Sequence, residues 1–179
     1  MKTLVTAQML GITLLFAHPA HATDVDSLYT SLDVRDCKTL ELQEDEGGSY
    51  RGRCPGTAGY RLELIEGDLR QTLTVIDPKG RAFPLDLWST VSGAFSLLGS
   101  KAEWRVRRSG GRTMPIALIV RYNANEDPER PEKSTSYLVV SKITPDAICV
   151  TDVVAPQPNA NEQARVLADQ AASRPCKQP

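Results

Sequence analysis

The clearest alternation of apolar and polar positions lies between residues 101 and 122. From Ala102 to Arg107 apolar side chains alternate with charged ones, as expected where one face of a strand meets a core and the other meets water. Residues 116–122 are apolar on both faces, which predicts a strand in the middle of a sheet. Because the intervening Gly110-Gly111 permits a tight turn, we predict a β-hairpin here.

Further strand patterns follow at regular spacing, separated by turns rich in Gly and Pro. Such spacing is typical of an antiparallel meander, so we predict a mainly β fold of about eight strands, closed as a sandwich or a barrel. Gly67-Asp68 is the predicted turn of a second hairpin. For residues 23–36 a short helix and an extended strand both fit the sequence. The other predicted strands cover residues 37–43, 49–54, 60–64, 69–75, 81–87, 137–143 and 147–154.

One helix is predicted, near the C-terminus. Asn159 can cap it, and Glu162 is placed to complete a capping box. Its apolar stripe is narrow and consists mainly of small side chains, which suits close packing against a sheet. The stripe is formed by Ala160, Ala164, Leu167, Ala168 and Ala171. We therefore divide the chain into a signal peptide (1–22), an antiparallel β domain (23–155) and a tethered C-terminal helix and tail (156–179).

The N-terminal segment has the features of a signal peptide. Met1-Lys2 is basic, residues 4–17 carry no charge, and Ala20-His21-Ala22 places small residues before a cleavage site at Thr23. A buried N-terminal helix is the alternative. No second apolar stretch is long enough to span a bilayer, so after cleavage we expect a monomer in the periplasm or outside the cell that does not insert into a membrane.

Cleavage would remove both histidines, His18 and His21. The remaining 157 residues would then lack the imidazole needed for Ser-His or Cys-His nucleophiles and for histidine-ligated metals. They contain 20 basic and 22 acidic residues, a balance that predicts no nucleic-acid partner.

Four cysteines permit three pairings, and we favour two of the bonds. Cys37–Cys54 would close a hairpin, where opposed strands bring the two residues together, and Cys149–Cys176 would tie the C-terminal tail to a strand. The alternative is a four-thiolate metal site, but such sites usually use closely spaced cysteine pairs. In the charged loop at 123–133, oxygen-bearing side chains alternate as in a calcium loop, but Pro128 stands where an EF-hand needs Gly. We expect no metal and no cofactor.

Several runs resemble an uncharacterised family of small exported proteobacterial proteins. They are Glu66-Gly67-Asp68-Leu69-Arg70, residues 98–105 and residues 116–122, together with Cys149 on a late strand and an Ala-rich helix before Cys176. The resemblance spans most of the chain from about Tyr29 to Cys176. It implies an envelope location and the favoured disulfide pairing, and it carries over no functional residue.

Two groups of residues are candidate binding sites. Arginine side chains suit carboxylate or phosphate ligands, and the outward face of the first hairpin offers Glu103, Arg105 and Arg107, with Arg121 from the neighbouring strand. An ordinary cross-strand charge ladder is the simpler interpretation, which we favour.

The second group lies in the weakly charged segment 88–100. If exposed, Trp88, Phe95, Leu97 and Leu98 would form an apolar lid or docking surface. We favour the alternative, a long connection whose apolar side chains plug one end of the sheet.

Three functions remain open. The preferred one is an exported non-catalytic protein that binds an envelope protein or a cell-wall or polysaccharide ligand. The second is a histidine-free glycan hydrolase with a carboxylate pair, whose spacing the sequence does not reveal. The third is a small-molecule carrier that uses an apolar barrel end near Trp88 and Phe95.

Overall fold

The computed structural model describes residues 25–44, 48–130 and 132–178. The proposed signal peptide, residues 1–22, lies outside the described residues. The described part is mainly β, with short 3₁₀ turns at Val34–Asp36 and Ala171–Ser173. The strands and helices are β1 (Val25–Ser31), β2 (Lys38–Gln43), β3 (Ser49–Cys54), β4 (Arg61–Gly67), β5 (Arg70–Ile76), β6 (Ala82–Pro84), α1 (Leu87–Thr90), β7 (Ser96–Ser109), β8 (Arg112–Ala124), β9 (Thr135–Ile143), β10 (Ile148–Val154) and α2 (Ala160–Asp169).

The ten described strands form one sheet in the order β10-β9-β8-β7-β5-β4-β3-β2. The short β6 pairs with β5, and β1 pairs with β7. All pairings are antiparallel except a single parallel bridge between Arg70 and Ser96, which joins β5 to β7. The described part is thus one β-sheet with a helix near the C-terminus, so the predicted mainly β, sandwich- or barrel-like fold with a C-terminal helix is confirmed.

The hairpin formed by β7 and β8 is the centre of this sheet, as predicted. On β7, Ala102, Trp104 and Val106 are buried in the main core. β8 is buried on both faces, because Leu118 contacts the main core while Ile119 belongs to a second apolar cluster. The two strands pair with a register shift opposite Arg105 and Val106.

The main core fills the space between the β2–β5 half and the β7–β10 half of the sheet. Its largest fully buried side chains include Trp104 and Tyr122, and both are anchored by hydrogen bonds. Trp104 Nε1 donates to Thr30 Oγ1 (2.9 Å), and Tyr122 Oη donates to the Ser92 carbonyl (2.8 Å). The apolar aromatic bodies are therefore buried without leaving their polar atoms unpaired.

Helix α2 covers the outer face of β8 and β9. Its buried residues, Ala164 and Ala168, pack in the second cluster with side chains from these strands and from β10. The predicted small-residue stripe is therefore the packing face. Asn159 is the N-cap residue, as predicted, but its side chain makes no capping hydrogen bond.

Both favoured disulfides are present. Cys37 bonds to Cys54 and Cys149 to Cys176, and the described residues include no free cysteine. A pair of disulfides is typical of proteins that fold in an oxidising compartment. Among the described residues, no helix has the length and apolar character to span a membrane.

The structure corrects the predicted turn between β4 and β5 and decides between helix and strand for residues 25–31. The β4–β5 turn falls on Asp68 and Leu69 rather than on Gly67 and Asp68, because Gly67 pairs with Arg70 in the strand register. Residues 25–31 are extended, since β1 pairs with β7 along its whole length.

The predicted long connection at 88–100 is shorter in the structure. β7 begins at Ser96, because Ser96 and Leu98 pair with the end of β8 and the Leu98 amide donates to Gln71 Oε1 (2.8 Å). At Gly99 in β7 the Arg121 side chain of β8 lies close to the backbone. A Cβ at position 99 would be only 2.9 Å from the Arg121 Cβ, which favours glycine there.

Candidate functional site

Two adjacent residues with a left-handed backbone lie at the tip of the β4–β5 hairpin. Asp68 and Leu69 both have a left-handed backbone, with φ of 49° and 57°. Side chains other than Gly, Asn and Asp adopt this conformation at a cost. The Leu69 side chain nevertheless remains 60% exposed. The hairpin therefore holds an apolar side chain in solvent on a strained backbone.

Leu69 lies between two neighbouring surface depressions, which together with a third we call the tip groove. Three adjoining depressions of about 440, 420 and 340 Å³ form it; the first two share Leu69, and the last two share Phe95. Leu42, Phe95 and Leu97 line it and are 59%, 47% and 56% exposed. A cluster of exposed large apolar side chains is typical of an interaction surface.

The tip groove is held in shape by hydrogen bonds across its floor. The Ser96 amide donates to the Leu69 carbonyl (2.9 Å), and the Asn125 amide donates to the Phe95 carbonyl (2.8 Å). Arg70 Nε donates to the Gly93 carbonyl (2.8 Å), and its guanidinium lies 4.9 Å from the centre of the Phe95 ring. These contacts tie the hairpin tip to the start of β7.

The charged residues lining the tip groove are mostly acidic. Glu66, Asp68 and Asp127 line it, with Arg70 as the one lining cation among the described residues. The Arg70 guanidinium is itself paired with Asp68. Asp127 is likewise paired with Arg130, so Glu66 is the one lining carboxylate without an ion-pair partner among the described residues. The groove therefore combines exposed apolar side chains with one unpaired carboxylate.

The structure separates Trp88 and Phe95, the two residues predicted to lie near an apolar barrel end. Phe95 lies in the tip groove, whereas Trp88 is half-buried on α1. Leu97 faces solvent and Leu98 packs against the core. The segment thus contributes both a plug and an exposed surface.

Two of the charged candidates, Glu103 and Arg105, form contacts within the protein. Glu103 and Arg105 face α2: Arg165 Nε donates to Glu103 Oε1 (2.6 Å), and Arg105 Nε donates to Asp169 Oδ1 (2.7 Å). Ser27 on β1 donates to Glu103 and accepts from Arg105. The cluster therefore fastens α2 and β1 to β7, and a ligand there would compete with these bonds.

Arg121 and Arg107 are not part of that cluster. Arg121 Nη1 donates to Ser136 Oγ (2.8 Å), and its Nη2 donates to Asn161 Oδ1 (3.3 Å). Arg107 is exposed and lines a separate cleft at the opposite end of the strands. Glu103 and Arg121 nevertheless line one small depression of about 210 Å³. Of the four charged candidates, only Arg107 lies at the other end of the strands.

Three carboxylates bear on the hydrolase hypothesis. Glu63 and Asp77 are buried and Glu103 is partly buried. Each accepts a hydrogen bond from an arginine, with N–O distances of 2.6–2.7 Å. Burial raises the pKa of Asp77, but hydrogen bonds from Arg81 outweigh it and lower the pKa overall. The pKa of Glu103 is lowered in the same way by Arg165 and Ser27. A glycosidase acid instead needs a raised pKa.

Sequence reasoning overlooked Leu42 and Leu69. The available signal was a leucine inside a turn, next to Gly67-Asp68, but strand alternation placed it on a buried face.

No protein-family model, no curated protein and no solved structure matches the chain.

Proposed function

We propose that this chain is an exported, non-catalytic binding protein of the bacterial envelope that docks a protein partner in the tip groove. The observation that carries the proposal is Leu69, which is 60% exposed on a left-handed backbone. This arrangement costs folding free energy and buries little apolar surface in return. A favourable binding free energy, gained when a partner covers Leu69, would compensate for this cost in folding free energy.

The lining of the tip groove specifies the partner's chemistry. Its exposed side chains are mainly aliphatic, and the Phe95 ring is in contact with the Arg70 guanidinium. Aliphatic side chains suit a protein's apolar residue better than a sugar ring, which usually needs an aromatic platform. Since Glu66 lines the groove without an ion-pair partner among the described residues, the partner should present an apolar residue with a Lys or Arg beside it.

Three features support the envelope location. The two disulfides suit an oxidising compartment, residues 1–22 have a signal-peptide pattern, and several runs resemble a family of exported proteobacterial proteins. We propose the periplasm or the extracellular space.

The experiment uses the full chain, with its own N-terminal segment and a C-terminal tag, expressed in a proteobacterial host and crosslinked in the envelope fraction. Leu69→Ser and Phe95→Ser should each reduce the recovery of a stoichiometric partner at least about tenfold, as for interface hot spots. Val166→Ser is the matched control, because Val166 is also apolar and 57% exposed but lies on α2.

The partner recovered by the wild-type chain is then purified and titrated against the same variants. Weaker binding by the groove variants alone would support the proposal. Equal binding by all variants, or an empty capture by the wild-type chain, would contradict it and return attention to glycan turnover and small-molecule binding.

A further inference from the structure

A second concave site lies at the opposite end of the strands from the tip groove. It is a cleft of about 560 Å³, within the range typical of small-molecule sites. The β5–β6 turn, the β9–β10 turn and the start of β8 form its walls. We call it the basic cleft, for the charges described below.

The basic cleft has an apolar lining. Tyr60 contributes its ring, which packs against Trp104 with the ring centres 6.1 Å apart. Met114 lines the cleft and is 46% exposed, and Ile116 is beside it on β8. Three prolines, Pro78, Pro115 and Pro145, also line the cleft. A flexible thioether among rigid proline rings suits contact with an aliphatic chain.

Basic side chains outnumber acidic ones among the described residues that line the basic cleft. Asp77 is its one acidic lining residue, and it is already satisfied: its carboxylate accepts from Arg81 Nε (2.7 Å) and from the Lys79 and Arg81 amides. Arg81 also donates to the Pro145 carbonyl (2.9 Å). Lys79 and Arg107 have no ion-pair partner among the residues that the structure describes.

We infer that the basic cleft binds a small amphiphilic anion, a carboxylate or phosphate group on a single aliphatic chain. Guanidinium and ammonium groups both donate hydrogen bonds to such oxyanions, and within the described part of the chain no carboxylate is paired with Arg107 or Lys79. The chain would lie against Tyr60 and Met114. This site is separate from the tip groove and goes beyond the proposed function.

Isothermal titration of the full chain tests the inference, with ligands kept below the concentration at which they form micelles. Hexanoate, octanoate and decanoate should bind with rising affinity, by about fourfold for each methylene buried. Octyl phosphate should bind like octanoate. Inorganic phosphate and octanol, which supply only one half of the amphiphile, should bind at least about tenfold more weakly.

Matched variants locate the site. Arg107→Gln and Lys79→Gln should each weaken octanoate binding by about fivefold, and Met114→Ser should flatten the dependence on chain length. Lys38→Gln, an exposed lysine on β2, should bind like the wild type, and so should Leu69→Ser in the tip groove. Absence of binding, an affinity independent of chain length, or equal losses in Lys38→Gln and Arg107→Gln would overturn the inference.

Discussion

Arg105 on β7 and Asp169 at the end of α2 form a two-point ion pair. Arg105 Nε lies 2.7 Å from Asp169 Oδ1, and Nη2 lies 2.9 Å from Oδ2. Arg105 is only 8% exposed. The small alanine stripe of α2 buries little apolar surface, so polar contacts of this kind carry much of the attachment of the helix.

The first prediction concerns Asp169→Asn. The substitution removes the two-point partner of the buried Arg105 guanidinium and leaves only Glu103, whose Oε1 lies 4.0 Å from Nη1, so we expect the free energy of unfolding to fall by about 1–2 kcal/mol. Loss of one partner of a fully buried pair costs about 3–5 kcal/mol. The Asp169 side chain is 33% exposed, however, and solvent screening reduces the cost. Urea denaturation measures the change.

Arg108→Gln is the control for that prediction. Arg108 pairs with Asp26 in a bridge whose side chains are 58% and 47% exposed, and we expect a loss below about 0.5 kcal/mol. Equal losses in the two variants would show that the Arg105–Asp169 pair is no more important than a surface bridge.

The second prediction is a pH dependence of stability that arises from Glu103. Burial raises the pKa of Glu103, but hydrogen bonds from Arg165 and Ser27, together with nearby arginine charges, lower it below the ordinary value of 4.5. A carboxylate with a lowered folded-state pKa stabilises the protein above its unfolded-state pKa and loses that contribution as the pH falls. Stability should therefore decline as the pH drops below about 4.5.

Urea denaturation between pH 6 and pH 3 checks this dependence. Glu103→Gln should show a shallower decline than the wild type. Glu129→Gln, which removes an exposed carboxylate with no ion-pair partner among the described residues, is the control and should retain the wild-type slope. If Glu103→Gln also retains it, the lowered pKa of Glu103 does not contribute.

The fold could be predicted where a pattern has only one physical solution. A strand that is apolar on both faces, as at 116–122, has to lie centrally. An alanine stripe has to pack closely on another element, and a cysteine on each arm of a hairpin can meet its partner. These predictions require only local sequence.

The site depends on information that local sequence does not contain. Alternation placed Glu103 and Arg105 facing water, but it does not show that α2 returns over that face 62 or more residues later. Leu69 fits the strand pattern as well as the turn, and only the pairing of Gly67 with Arg70 decides between them. The tip groove therefore could not be recognised before the register was known.

The third prediction concerns the Cys149–Cys176 disulfide. It closes a sequence separation of 27 residues, for which the chain-entropy model gives about 3 kcal/mol. The Cys149→Ala/Cys176→Ala double variant should lose about that much stability and should exchange amide hydrogens faster in α2 and residues 170–178. The Cys37→Ala/Cys54→Ala double variant should lose a similar amount but leave exchange in α2 unchanged. Unchanged exchange in α2 for the first variant would mean that the ion pairs alone hold the helix.

The last prediction separates the two consequences of the Leu69 geometry. Leu69→Gly removes the side chain and relieves the left-handed strain, whereas Leu69→Ala removes most of the side chain and keeps the strain. Both should weaken partner binding, because both remove an apolar contact from the tip groove. The free energy of unfolding of Leu69→Gly should exceed that of Leu69→Ala by about 1 kcal/mol, since φ is 57° at this position.

Gly110→Ala provides the reverse test, because Gly110 also has a positive φ (55°) and an added Cβ would meet no atom within 4 Å. It should lose about 1 kcal/mol without affecting binding. Thermal and urea unfolding measure the stabilities, and titration of the captured partner measures the affinities. If Leu69→Gly proves less stable than Leu69→Ala, the left-handed backbone carries no strain. Binding then has no backbone cost to compensate for, and the exposed Leu69 no longer supports a docking role.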